Sequence, residues 1–280
     1  MNNKNTDKTN PPGVSVPNVW LWLSVLVSTL VTTTSLLGIL SGRTYSRETE
    51  AWAVQAVGQD YANLVVAVLL LVSTWLLSRH SLRAYLVWLG AYLYLFYAFA
   101  IYAFAVHFQF LFLAYVAVLG LSFYALVGGL TAVDIDELAT AMPSGSRAKS
   151  VSILLMVIGV LFSLLWLSEI VPNLLAGSVP QTLKETNLWV NPVHVLDLGI
   201  LLPAMVITSV LLWRRKALGY VLSVPLLVFA MTMGLGIIAM FAISAARGLP
   251  YSLPAAALIG IIMLLSALFS SLYLRGMAAR

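Results

Sequence analysis

Ile101-Tyr-Ala-Phe-Ala-Val-His107-Phe-Gln109-Phe-Leu-Phe112 is the stretch on which the number of membrane spans turns. Around it, residues 84–130 are almost unbroken apolar sequence. That is about twice the roughly 20 residues needed to cross a bilayer once as a helix. His107-Phe-Gln109 is its only strongly polar interruption, so the stretch is read as two helices joined by a tight turn. Charge placement tests the break, because cytoplasmic loops are enriched in Lys and Arg. With the break, eight spans lie near 19–40, 61–78, 84–105, 108–130, 151–171, 195–213, 217–243 and 253–274. An N-terminus inside then puts Lys4, Lys8, Arg79, Arg83, Arg147, Lys149, Arg214, Arg215, Lys216, Arg275 and Arg280 on the cytoplasmic side. Arg43, Arg47, Lys184 and Arg247 stay outside. Without the break, seven spans would export Arg147, Lys149 and the Arg214–Lys216 turn.

Composition excludes an ordinary soluble domain. The 280 residues are 61% hydrophobic and 9% charged, with a mean hydropathy of +0.97, against about 25% charged residues in soluble domains. In lipid the backbone must satisfy its own hydrogen bonds, and no strand-like alternation offers a barrel. The fold class is therefore all-α: a polytopic transmembrane bundle of eight spans with both termini cytoplasmic. The net charge of +5 is the positive-inside pattern and calls for no nucleic-acid partner. The absence of Cys removes disulfides and thiolate chemistry. Residues 1–18 are polar, include Pro11-Pro12-Gly13, and read as a disordered cytoplasmic tail. Residues 19–280 form one transmembrane domain, with halves at 19–130 and 151–274 and a cytoplasmic linker at 131–150.

The halves share an order of features. Asp60 opens an apolar stretch that ends in Arg79-His-Ser-Leu-Arg-Ala-Tyr85, and Asp197 opens one that ends in Arg214-Arg-Lys-Ala-Leu-Gly-Tyr220. This suggests a parallel four-plus-four repeat with a carboxylate at one end of matching helices. Glu48–Gln59 reads as an interfacial helix leading into Asp60. Asp134-Ile-Asp136-Glu137 lacks the glycine and spacing of a calcium loop and reads as a helix cap.

Most of the proton-exchanging groups fall toward the outer face. The candidate substrate- or proton-binding residues are Asp60, Asn63, His107, Glu169, His194 and Asp197. His194 and Asp197 share a helix face at i and i+3, a spacing that lets the carboxylate accept an imidazole N–H. Asp60 and Asn63 repeat that spacing. Against this stands plain capping, since Asp is favoured near helix N-termini in any protein, or a pairing of Asp197 with Arg247. His107, His194 and Asp197 are also an inventory used by Zn²⁺, Mn²⁺ or Fe²⁺, although no HExxH or comparable spacing occurs and no cofactor is required. Tyr85–Tyr124 holds fifteen aromatics, among them Tyr92, Tyr94, Tyr97 and Tyr102. Helix packing is the default use of such residues, with a pocket for a flat or lipid-like ligand as the other. Gly38-x-x-x-Gly42 favours close helix contact. Pro203 and Pro225 lie inside spans, where they free carbonyls toward a cavity.

Residues 101–112, together with His194-Val-Leu-Asp197-Leu-Gly-Ile-Leu-Leu-Pro203 and the following Leu-Leu-Trp-Arg-Arg-Lys-Ala-Leu-Gly-Tyr220, resemble a group of prokaryotic multi-pass membrane proteins of unassigned function. The resemblance covers most of the chain after the tail. It implies a bacterial or archaeal plasma membrane and carries no catalytic role. Three functions fit the residues: a small-molecule or ion transporter with an outward-facing protonatable site, a metal-dependent membrane enzyme acting on a lipid-soluble substrate, and a non-catalytic assembly or sensor subunit. No Walker A loop, Rossmann fingerprint or GxSxG elbow is present.

Overall fold

The computed structural model describes residue 14 and residues 16–277. The proposed tail, apart from Val14 and its last residues, lies outside the described residues. Val14 and Val16 are buried.

The described residues form helices and no strands. Eight of the helices are long and apolar enough to cross a membrane. They are α1 (Asn18–Leu40), α2 (Glu50–Leu77), α3 (Leu82–Ala105), α4 (Phe112–Thr131), α6 (Ser146–Ala176), α8 (Pro192–Trp213), α9 (Ala217–Ala246) and α10 (Leu253–Arg275). Two short helices lie between them, α5 (Ile135–Thr140) and α7 (Gln181–Thr186). The expected break is present: α3 stops at Ala105 and α4 starts at Phe112. Polar side chains at the helix starts take up free amides. Thr49 accepts from Trp52, Ser81 from Ala84, Asn191 from Val193 and Ser252 from Ala255. Asp134 accepts from the amides of Asp136 and Glu137, which is the capping role expected of it.

Two elements depart from the sequence reading. Glu48–Gln59 is not a separate interfacial helix, because α2 runs unbroken from Glu50, capped by Thr49. Asp60 therefore does not open a helix; it sits ten residues past Glu50, far from any capping position. The second departure is in α8, where Asp197–Leu201 forms a π turn ahead of Pro203. The Leu202 amide reaches back five residues to the Asp197 carbonyl. Proline brings no N–H of its own, so a wider turn just before it takes up the mismatch.

Packing sets α9 at the centre. It lies against α2 and α3 of the first half and against α8 and α10 of the second. Glycines permit the closest approaches: a Cβ on Gly58 would strike the Met240 backbone, and one on Gly90 would strike Val228. Within each half, consecutive long helices pack, and the first packs on the last. The Arg79–Arg83 turn, α5, the start of α6 and the Arg214–Lys216 turn share one end, the basic end. Arg83 reaches the Met277 carbonyl there.

Candidate functional site

A cavity of about 450 Å³ separates the halves at the end away from the basic turns. The α2 and α3 walls supply Gln55, Gln59, Tyr97 and Tyr102, and α6 and α8 supply Trp166, Asp197 and Met205. Phe229, Met233 and Phe241 of α9 close the far wall, while Thr182, Thr186 and Leu188 cover the mouth. The lining is aromatic and aliphatic with a few convergent polar groups, the usual make-up of a small-molecule site. Among the described residues, Asp197 is the one charged side chain that lines it.

Asp197 is held in place from both sides. Tyr97 donates its hydroxyl to Oδ1 at 2.9 Å, and the Trp166 indole N–H donates to Oδ2 at 2.8 Å. An indole N–H can only donate, so Oδ2 must accept. Tyr97 stands edge-on to Phe229, with ring centroids 5.2 Å apart. Each carboxylate oxygen keeps a second lone pair for a ligand.

The expected His194–Asp197 bond does not form. With Asp197 turned to Tyr97 and Trp166, the His194 ring packs on Trp166, centroids 4.7 Å apart. Its Nε2 stands 3.7 Å from Glu169 and lacks a hydrogen-bond partner. Glu169 instead accepts from the Thr182 hydroxyl at 2.6 Å, which ties α7 to α6. The alternative pairing of Asp197 with Arg247 is not seen among the described residues.

Asp60 forms a second centre behind the cavity wall. It is 2% exposed, and no cationic side chain pairs with it among the described residues. Tyr45 donates to its Oδ2 at 2.7 Å, and Tyr102 lies 2.9 Å from Oδ1. The Tyr102 hydroxyl is also 3.0 Å from the Ala56 carbonyl and accepts from Asn63. Asn63 in turn accepts from Tyr94, which accepts from Gln59. Asp60 and Asn63 thus act together, as their spacing suggests. The carboxyl needs room on α1, and Gly38 provides it: a Cβ there would collide with the Asp60 carboxyl and the Tyr45 hydroxyl. A Cβ on Gly42 would meet nothing within 4 Å, so the close approach read into the glycine pair belongs to Gly38 alone.

His107 lies in the α3–α4 turn, at the end away from the basic turns. Its Nδ1 is 2.9 Å from Glu48, whose other oxygen accepts the His107 amide at 2.7 Å. The Glu48 side chain is 1% exposed beneath the ring.

The six candidates are therefore divided among three places. Asp60 with Asn63, Asp197 near Glu169 and His194, and His107 with Glu48 are separate clusters. Asp197 lines the cavity and Asp60 does not, but both are held by tyrosines of α3 that line it. No group of three metal-binding side chains converges among the described residues; His107, His194 and Asp197 each keep different company. Sequence reasoning missed Trp166, Gln59, Tyr45 and Glu48 as partners. For Tyr97 and Tyr102 the clue was available, since a hydroxyl buried in lipid must find an acceptor.

A second groove of about 710 Å³ runs between α3, α4 and the 187–196 segment. Phe96, Phe104, Phe123, Trp189 and Val195 line it, with His107 at one end. Val106 and Leu188 belong to both this groove and the central cavity. Comparison of the chain with protein-family models, curated proteins and solved structures returns no match.

Proposed function

We propose that the protein is a small-molecule transporter of the cell membrane that admits a lipophilic cation to the cavity between its halves. The observation that carries this reading is Asp197, a carboxylate in an aromatic chamber whose side-chain partners among the described residues are two neutral donors. A membrane-embedded charge is costly unless it faces water or a partner, and here the partner is supplied by the ligand. A quaternary or protonated amine satisfies the free lone pairs of Asp197, and Tyr97, Trp166 and Phe229 offer ring faces to the same charge. The groove beside α3 and α4 gives a lipid-soluble molecule a way in from the bilayer, past Val106 and Leu188. The basic end faces the cytoplasm, and the mouth near α7 faces outward. Spreading of the His and carboxylate side chains over three clusters favours this reading over the metal-dependent enzyme.

The test is uptake of tetraphenylphosphonium by proteoliposomes under an imposed pH gradient. Wild-type protein accumulates the cation, and Asp197→Asn lowers uptake at least tenfold while insertion and monodispersity are kept. Binding is followed separately by quenching of Trp166 fluorescence, with Trp166→Phe as the control for the other tryptophans. Equal uptake by wild type and Asp197→Asn sinks the proposal. No binding by either, together with a co-purifying membrane partner, points instead to an assembly subunit.

A further inference from the structure

The hydroxyl of Tyr102 has one proton and two acceptors. It lies 2.9 Å from Asp60 Oδ1 and 3.0 Å from the Ala56 carbonyl. When Asp60 is ionised, Tyr102 donates to Oδ1. When Asp60 carries a proton on Oδ1, that proton is given to the Tyr102 oxygen, and the Tyr102 proton turns to Ala56. Asn63 still donates to Tyr102 in either case. Both charge states are thus hydrogen-bonded in one frame of heavy atoms, exchanged by the rotation of a single O–H. A buried carboxyl whose purpose was only structural would need one such arrangement, not two.

Polar groups continue from Asp60 in both directions. Toward the cavity, Tyr102 and Gln59 are themselves lining residues. Toward the α3–α4 turn, Tyr45 bonds Oδ2, and the Tyr115 hydroxyl neighbours both Tyr45 and Gln109. Tyr115 Oη and Gln109 Nε2 are buried without hydrogen-bond partners among the described residues. Buried polar atoms of that kind are the usual seats of ordered water. Beyond them come Glu48 and its surface partner His107. Burial, with the Asp60 carboxylate beside it, pushes the Tyr45 hydroxyl well above its ordinary value, so Tyr45 remains a donor. Among the described residues, the titratable groups facing Asp60 are Tyr45 from the α1–α2 loop, Tyr94 and Tyr102 from α3 and Tyr115 from α4, with Glu48 and His107 farther out, while α1 places Gly38 against it.

We infer that Asp60 is a proton-binding site distinct from the ligand site at Asp197, loaded from His107–Glu48 by way of Tyr115 and Tyr45. The step balances as a relay. Tyr45 passes its proton to Asp60 as it receives one from the Tyr115 side. The proton arrives on Oδ2, a half-turn of the carboxyl brings it to the Tyr102 side, and Asp60 releases it by the reverse of these steps. The path rests on geometry at Asp60 and does not depend on the choice of ligand at Asp197.

Infrared difference spectroscopy of the purified protein in lipid tests this without any ligand. A carboxylic C=O band that titrates with pH is expected in wild type and in Asp197→Asn, and is absent in Asp60→Asn. Tyr102→Phe, which keeps the ring packing, shifts the band because the carboxyl loses that partner. Tyr45→Phe slows deuterium exchange of the band at least tenfold. A band that survives Asp60→Asn, or is unmoved by Tyr102→Phe, overturns the assignment to Asp60. Exchange unaffected by Tyr45→Phe overturns the path. Failure of tetraphenylphosphonium uptake leaves each of these readings unchanged, so the two proposals fail separately.

Discussion

Gly38 carries no side chain because the Asp60 carboxyl and the Tyr45 hydroxyl occupy the space where a Cβ would stand. The first and second helices are thereby fitted around one functional group rather than merely packed together. Gly38→Ala is expected to lower stability by about 1–3 kcal/mol, the usual cost of overpacking a buried site. Gly42→Ala, with open space around it, is expected to leave stability unchanged. Thermal unfolding in detergent measures both, and equal behaviour of the two variants would refute the fit. At this scale the sequence singled out two carboxylates but not what held them. Asp60, Asn63 and Asp197 stood out because ionisable and amide groups are rare in so apolar a chain. Trp166 did not, since an indole in a membrane helix reads as packing or interface until its N–H is seen on Asp197.

At the scale of elements, the π turn at Asp197–Leu201 decides which way Asp197 faces. Each residue of an α-helix turns the chain by about 100°, so the extra residue of a π turn resets the face presented on either side of it. Deleting Gly199, which touches nothing, restores α register and swings Asp197 off the cavity wall. Tetraphenylphosphonium binding is then expected to fall at least tenfold while the protein still inserts; retained binding would show that the turn is incidental. Long apolar runs made the spans themselves legible, and the polar His107-Phe-Gln109 marked the α3–α4 break. The N-terminal extension of α2 was not legible, because Glu48–Gln59 is mixed in polarity and its helical continuity depends on packing against α9 and α7. Nor was the π turn, which arises from the meeting of Pro203 with a helix that must continue. The order of features read in the sequence put Asp60 and Asp197 at matching places along the chain, yet gave no means of seeing that α3 holds both.

For the whole molecule, the charge bias makes a prediction that the absence of cysteine renders easy to test. A single cysteine in place of Ser178, beside α7, is expected to react with a membrane-impermeant maleimide in intact cells. One in place of Ser81, at the basic end, is expected to react only after the membrane is opened; the reverse pattern would invert the orientation. The central position of α9 has a consequence for how such a protein is made. Helix α3 is the most enclosed span, and part of what encloses it is α9, whose first residue, Ala217, follows the end of α3 by more than a hundred residues. At ordinary rates of synthesis of about 5–20 residues per second, Gly90 and Tyr97 wait on the order of ten seconds for the neighbours they will keep. During that interval Tyr97 has not yet met Asp197, and the nascent first half presents its tyrosine-bearing face to lipid or to whatever escorts membrane proteins. Closure of the cavity is therefore among the last events of biogenesis, and a chain truncated before α9 would be a substrate for quality control rather than a folded half.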